Sequence, residues 1–299
     1  MKQVLVIGST AADVILNIPH IPMVKEDIHI IEQHMAIGGC AYNVANILHH
    51  FQVEHTLFSP IGQGIYGDYI YAHFQQHNIP MLIPRVGSDN GCCYCLVDNS
   101  GERTFLSHHG AEYKFKKEWF STLDDGQYDT VYICGLEIEE STGNEIISYV
   151  EEYPHPQVFF APGPRITHIS KERMDRIFDL SPILHLNLQE ALQYTQTHTV
   201  EEAAKQLAKC THNTIIITLG EEGTYLYHKQ EGCIIPTTKV TVVDTIGAGD
   251  AHVGTIIAGI KQGMHIKDAC VLANKIAAGV VGTKGATLTK QEFKNIIQF

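Results

Sequence analysis

Three glycine-rich signatures of familiar enzyme folds are missing. The opening strand-like run ends in Gly8-Ser9-Thr10-Ala11-Ala12-Asp13, not Gly-x-Gly-x-x-Gly, which disfavours a dehydrogenase. No Gly-x-x-x-x-Gly-Lys-Ser/Thr loop occurs, which excludes an ordinary P-loop kinase. Gly-x-Ser-x-Gly is also absent, against an α/β-hydrolase. Positive charge is scarce: the formal net charge of −12 argues against nucleic acid and anionic membranes as partners. No apolar run has the length needed to span a bilayer, and strand-like Val4–Ile7 follows position 1 at once, so no signal peptide is expected. Eight scattered cysteines without a secretion signal point to reduced thiols and a cytoplasmic protein. Two clusters invite a zinc reading, Cys92-Cys93-x-Cys95 near His108-His109, and His73 with His77. Neighbouring cysteines on a strand point to opposite faces, and a solvated helix face explains the histidine pair more simply, so neither is taken as a metal site.

What is present is core material in a recurring order. At 299 residues and 44% hydrophobic content, the chain can bury one large α/β core, alone or with a small accessory unit. Apolar β-rich runs occur at Val4–Ile7, His55–Pro60, Val131–Ile133, Val158–Phe160, Ile183–Leu186 and Thr214–Leu219. Helical patterns lie between most of them, at Tyr42–Phe51, Tyr66–Gln76, Thr142–Glu151, Gln189–Thr195 and Val200–Cys210. Such alternation predicts a mainly parallel sheet covered on both faces, with no internal repeat. Two regions break the pattern: Asp13–Ile37, with strand-like Val14–Ile18 and His29–Met35, and Gly91–Leu106. The second reads as a hairpin of Cys92–Val97 and Glu102–Leu106 about a turn at Asp98-Asn99-Ser100-Gly101. Together they predict a small β lid, 13–37 and 91–106, over a main domain of 1–12, 38–90 and 107–299.

The chemistry concentrates in Asp244-Thr245-Ile246-Gly247-Ala248-Gly249-Asp250, between strand-like Val240–Val243 and an apolar helix, Ala251–Ile260. Small residues at a helix mouth leave backbone N–H groups open to an anion, and the helix dipole adds to the attraction. A carboxylate on that first turn can deprotonate a hydroxyl that attacks a bound phosphate. A capping Asp after a left-handed turn is the plainer alternative; two Asp at this spacing favour the chemical one. Asp13, at a strand's carboxyl end, is placed to hold substrate hydroxyls or merely to cap a turn. Gly38-Gly39-Cys40-Ala41-Tyr42-Asn43 lets a ligand approach the backbone, with Asn43 offering a donor and an acceptor. Asn187 and Glu190, on one face of a first turn, can orient waters around Mg²⁺ or form an ordinary cap. Thr218-Leu219-Gly220-Glu221-Glu222-Gly223 suits nucleotide phosphates or a plain hairpin turn.

In this order, from Val4 to about Thr289, these motifs resemble the ribokinase-like (PfkB) family of sugar and nucleoside kinases. The resemblance implies a three-layer α/β/α domain with a β-sheet lid. It also implies ATP-dependent phosphoryl transfer to a substrate hydroxyl, usually a CH₂OH. By motif, Asp250 would be the catalytic base and Gly247, Ala248 and Gly249 the anion hole. Asp13, Gly39 and Asn43 would bind the sugar, and Asn187 and Glu190 would position Mg²⁺ through water. Thr218, Gly220 and Gly223 would line the ATP site, with Asn274 near the adenine. Members often hold a monovalent cation such as K⁺ behind the anion hole; Asp244 and the Ile246 carbonyl match that site, with Val280, Thr283, Gly285 and Thr289 as further partners. Related kinases often pair their lids, which implies a homodimer. The departures are His252 where the family has Phe, Gly64 for an Asp, and Ala161 for the acid of an Asp-x-Asn-x-Arg pattern. An unphosphorylated sugar or sugar acid is the expected acceptor, because the lid offers only Lys25 and Arg103 to a charged substrate. A nucleoside kinase, with Tyr94 and Phe105 stacking a base, is the rival, and a silent ligand-binding protein is the third reading.

Overall fold

The computed structural model describes residues 2–99, 103–124, 126–153, 156–283 and 285–298. β1 (Gln3–Ile7) runs through a short crossing into β2 (Ala11–Asn17) and β3 (Glu32–Gly38), followed by α1 (Cys40–His50), β4 (His55–Phe58) and α2 (Gly64–His77). The hairpin β5 (Cys92–Val97) and β6 (Arg103–His108) precedes β7 (Tyr128–Cys134), α3 (Gly135–Glu139), α4 (Gly143–Glu152), β8 (Gln157–Ala161) and α5 (Lys171–Asp179). Next come β9 (Ile183–Asn187), α6 (Leu188–Thr195), α7 (Val200–Thr211), β10 (Ile215–Thr218), β11 (Thr224–His228) and β12 (Glu231–Ile235). Three helices close the chain: α8 (Ala248–Lys261), α9 (Ile266–Val281) and α10 (Lys290–Gln298).

The strands form an eight-stranded sheet in the order β12-β11-β10-β9-β8-β7-β1-β4. Six of them, β4, β1, β7, β8, β9 and β10, are parallel, and β11 and β12 add an antiparallel edge. Side-chain alternation decides the layering. Leu5, Ile7, Val131, Ile133, Leu184, Leu186, Ile215 and Ile217 pack with α4, α5 and α7 on one face. Val4, Val6, Tyr132, Phe159, Ile183 and Ile216 pack with α1, α2, α8 and α9 on the other. Each large aliphatic side chain so buried stabilises the fold by about 1.5–3 kcal/mol, so both helical layers are held by the sheet's own period of two. This is the three-layer α/β/α architecture expected.

A second sheet, β3-β2-β5-β6, rises beside it. Its β2 and β6 each extend two residues past the boundaries drawn from sequence, starting at Ala11 and ending at His108. Ser100 and Gly101 of the expected turn, with Glu102, lie outside the described residues. Register puts Asp13, Cys93, Cys95, Phe105 and Arg103 on one face of this sheet. The Tyr66 hydroxyl contacts the Tyr94 hydroxyl at 2.9 Å and Tyr69 donates to the Met35 carbonyl at 3.0 Å, which ties the small sheet to α2.

One expected strand does not form. Val240–Val243 has no sheet partner; its valines 240, 242 and 243 are exposed, and the Val243 and Asp244 N–H groups both donate to the Val281 carbonyl. A β-branched run reads as strand, but the sheet already ends at β12, so the segment docks on the end of α9 instead.

Candidate active site

The loop before α8 is shaped by Gly247, the helix N-cap, at φ 74° and ψ −4°. A Cβ there would lie 2.2 Å from the Ala286 carbonyl oxygen, so glycine is required both by conformation and by space. Gly249 is the opposite case: a Cβ would meet nothing within 4 Å, which is open space above the first helical turn. No side chain caps α8, and the Ala248 N–H makes only a long 3.4 Å contact to the Thr245 carbonyl, an arrangement in which the leading N–H groups can serve as an anion cradle.

Asp250 sits on the same turn, where Asn43 Nδ2 donates to its Oδ2 at 2.8 Å. Asn43 lies on the first turn of α1, whose N-cap Gly39 has φ 97°. A Cβ on Gly39 would come within 2.5 Å of the Ser9 carbonyl, so α1 can pack this tightly on the β1–β2 crossing only with glycine there. Asp13, on β2, lies against Gly38: a Cβ at Gly38 would be 2.1 Å from Asp13 Oδ2. Burial raises Asp250 to about 6, opposed by the hydrogen bonds from Asn43 and Cys40. Burial and then the Asp250 charge raise Asp13 to about 7. Asp13 therefore lies within reach of the Asp250 charge. Asn43 Oδ1 is buried without a hydrogen-bond partner among the described residues, an acceptor left for a ligand hydroxyl.

Sequence reasoning missed Glu137. It is fully buried on α3, the short helix that follows β7; its Oε1 accepts from the Ser9 N–H at 2.7 Å, and its charge raises the Asp250 value. Burial pushes Glu137 itself upward. Its place just after an apolar strand run, like Asp13's, was the available signal.

Asn187 and Glu190 form a reciprocal cap at the start of α6. Glu190 N–H donates to Asn187 Oδ1 at 2.8 Å, and Asn187 N–H to Glu190 Oε2 at 3.0 Å. Glu190 also receives Asn187 Nδ2 at 2.7 Å, and its charge reaches Asp250. The pair is thus first a cap, whose hard oxygens lie within electrostatic reach of Asp250. Such donors suit Mg²⁺ held through water.

Thr218, Gly220, Gly223 and Asn274 line one cavity of about 410 Å³ together with Ala248 and Gly249. The expected nucleotide positions and the anion cradle therefore share a wall. Asn274 is less available than expected. Its Nδ2 donates to the Ile235 carbonyl at 2.8 Å and its Oδ1 accepts from Thr224 Oγ1 at 2.7 Å, so the amide pins the end of β12. His252 completes that network, with Nε2 3.1 Å from Asn274 Oδ1 and Nδ1 2.9 Å from His185 Nε2. Because Asn274 Oδ1 only accepts, His252 Nε2 must carry the proton and His185 Nε2 must donate to Nδ1. Burial lowers His252 to about 4 and His185 well below its usual range, so both rings stay neutral.

Asp244 is buried beneath the cradle. Its Oδ1 accepts from the Ile246 N–H at 2.8 Å, and its Oδ2 from the Gly285 N–H at 2.9 Å. Arg103 of β6 adds an ion pair to Oδ2 at 3.0 Å. The other positions of the expected cation site are differently engaged. The Val280 carbonyl accepts from both Thr283 N–H and Thr283 Oγ1 at 2.9 Å, and Thr289 exchanges hydrogen bonds with Glu292 at the start of α10. Among the described residues no group of three or more His, Cys, Asp or Glu is arranged to hold a metal, and no helix is long and apolar enough to cross a membrane.

Residues 1–292 match the family model described as pfkB family carbohydrate kinase. A sugar kinase of Escherichia coli K12, YegV, described as uncharacterized, is 32% identical over 288 residues, covering 95% of this chain and 90% of its own. The crystal structure of ribokinase from Thermotoga maritima superposes with a TM-score of 0.86 at 24% identity, covering all of both chains. A nucleoside kinase of Methanocaldococcus jannaschii superposes at 0.80 with 19% identity, covering 100% of this chain and 99% of its own. These two share the fold; the family model and the E. coli relative, each spanning nearly the whole chain, show that the protein belongs to the pfkB family of carbohydrate kinases.

Proposed function

We propose that this carbohydrate kinase transfers the γ-phosphoryl group of ATP to a hydroxyl, of the CH₂OH kind, on an unphosphorylated sugar. The observation that carries the reading is the Asn43–Asp250 contact, which places a raised carboxylate on the first turn of the anion cradle, beside the cavity. Asp250 takes the proton of the substrate hydroxyl as its oxygen attacks the γ-phosphorus. The bond to the bridging oxygen breaks, and ADP leaves with that electron pair. The N–H groups of Gly247, Ala248 and Gly249 receive the charge developing on the transferring oxygens. Asp13, Asn43 and Glu137 orient the sugar hydroxyls, and the nucleotide occupies the cavity at Thr218, Gly220 and Gly223. Mg²⁺ held through water at Asn187 and Glu190 would neutralise phosphate charge.

Within this class a neutral sugar is favoured over a sugar acid, because Arg103 is already paired with Asp244 and Lys25 is exposed. A nucleoside is the second reading. Phe105 shares the Asp13 face of the small sheet and is 51% exposed, free to stack on a base. The test compares kcat/KM for free hexoses, pentoses, sugar acids, nucleosides and sugar monophosphates. A free sugar should rank first; a preference for a sugar monophosphate would overturn the reading, and a nucleoside preference would promote the second.

Acidity should switch this enzyme off. A general base works only when deprotonated, and Asp250 at about 6 and Asp13 at about 7 both take up protons as pH falls. We expect kcat/KM to be level above about pH 8 and to decline as pH falls through about 7 and 6. A profile flat down to about pH 5 would contradict the assignment of these carboxylates.

The small sheet is proposed as a lid that also pairs two subunits. Leu106 on it and Ile30 and Ile31 in the segment leading into β3 are 56%, 49% and 63% exposed, an apolar surface suited to a partner. Light scattering should give a dimer mass at assay concentration, and a strictly monomeric mass would remove the proposal.

A further inference from the structure

The ion pair between Arg103 and Asp244 joins the small sheet to the cradle, and neither side chain is much exposed, at 14% and 5%. Asp244 braces the cradle from below. Its Oδ1 holds the Ile246 N–H, next to Gly247, and its Oδ2 holds the Gly285 N–H, next to the Ala286 carbonyl against which Gly247 packs. A buried carboxylate in this position needs a counter-charge. The family resemblance assigns that task to a monovalent cation, but the residues of this chain do not fit one. Asp244 is already neutralised, the Val280 carbonyl is occupied by Thr283, and Thr289 is part of the α10 cap. A second cation beside the guanidinium would be repelled by it.

We propose that the Arg103 guanidinium is the built-in counter-cation of Asp244, so that this kinase works without a bound monovalent cation. Arg103 is then a positioning residue: it acts on the transferring phosphoryl only through Asp244 and the turn at Ile246–Gly247. Because it is carried by β6, the charge reaches the cradle with the small sheet, coupling the sheet's position to the readiness of the anion site. Arg103 Nε is buried with no hydrogen-bond partner among the described residues, so at that atom Asp244 meets no competing acceptor. The inference rests on the kinase reading above for its rate effects, but its stability effects do not.

The experiment measures turnover and thermal midpoint in potassium, sodium and tetramethylammonium salts at equal ionic strength, for wild type, Arg103→Ala, Arg103→Gln and Arg103→Lys. Wild type and Arg103→Lys should show the same rate and midpoint in all three. Arg103→Ala and Arg103→Gln should lose at least about tenfold in rate in tetramethylammonium, as the unbraced cradle loses its alignment. Potassium should restore much of that rate and raise the midpoint, by filling the vacated charge. Wild-type activation by potassium, or neutral variants impaired equally in all three salts or in none, would overturn the proposal. If no acceptor is phosphorylated at all, the kinase reading fails, while a potassium-specific rise in midpoint confined to the neutral variants still supports the ion-pair role. If the neutral variants fold in no salt, the wild-type response decides: indifference supports, activation overturns.

Discussion

Asp250→Asn will fold and bind nucleotide normally and lose about 10²–10⁴ in kcat, the range expected for a missing general base. The side chains are nearly isosteric, and Asn43 can keep an oxygen acceptor by facing the new amide's carbonyl, so packing around the Asn43 contact is preserved. What is lost is the only group on the cradle's first turn that can accept the substrate proton. The effect should appear in kcat and kcat/KM together, with nucleotide affinity by calorimetry near wild type. Near-wild-type turnover would end the assignment. In the pH profile the variant should also lose the part of the acid limb that Asp250 contributes near 6.

Gly247→Ala and Gly249→Ala should separate the two jobs of the glycines. At Gly247 a methyl group meets the Ala286 carbonyl oxygen at 2.2 Å in a left-handed conformation, so the turn and the loop beneath it must both move. We expect a loss of about 1–3 kcal/mol in stability from the strained backbone. A fall of about 10²–10³ in kcat should accompany it, as the N–H groups leave the phosphoryl position. At Gly249 the methyl enters open space in the helix's first turn, where Ala is the better helix former by up to about 1 kcal/mol. That variant should be as stable as wild type or more so, yet impaired, because the methyl occupies the ground above the cradle. Thermal unfolding with single-turnover kinetics on both variants checks this; equal stability losses, or an unimpaired Gly249→Ala, would contradict the cradle geometry.

The parts of the site legible in sequence are those whose residues are near neighbours along the chain. Gly247, Ala248, Gly249 and Asp250 form one turn, so their spacing already describes their geometry. The same holds for Asn187 with Glu190 and for Gly39 with Asn43. The layering was legible because strand alternation and helix period are local. Pairings across the fold were not. Arg103 meets Asp244 only because β6 hangs over the loop before α8, and His252 meets His185 only because α8 lies over β9. Glu137 sits in no recognisable motif, and only its place on the short helix after β7 brings it near Asp250. Val240–Val243 misled for the reverse reason: local propensity was strong, but the sheet offered no partner.

The proposed reaction is phosphoryl transfer from ATP to a free sugar hydroxyl beside Asp13, Asn43 and Asp250. Its most direct measurement is a single-turnover reaction with γ-labelled ATP, Mg²⁺ and a panel of free sugars, with the products resolved by mass spectrometry. In wild type the label should move stoichiometrically to one sugar as a monophosphate ester, and in Asp250→Asn it should not on the same timescale. Nucleotide and sugar binding without label transfer to any acceptor would contradict it.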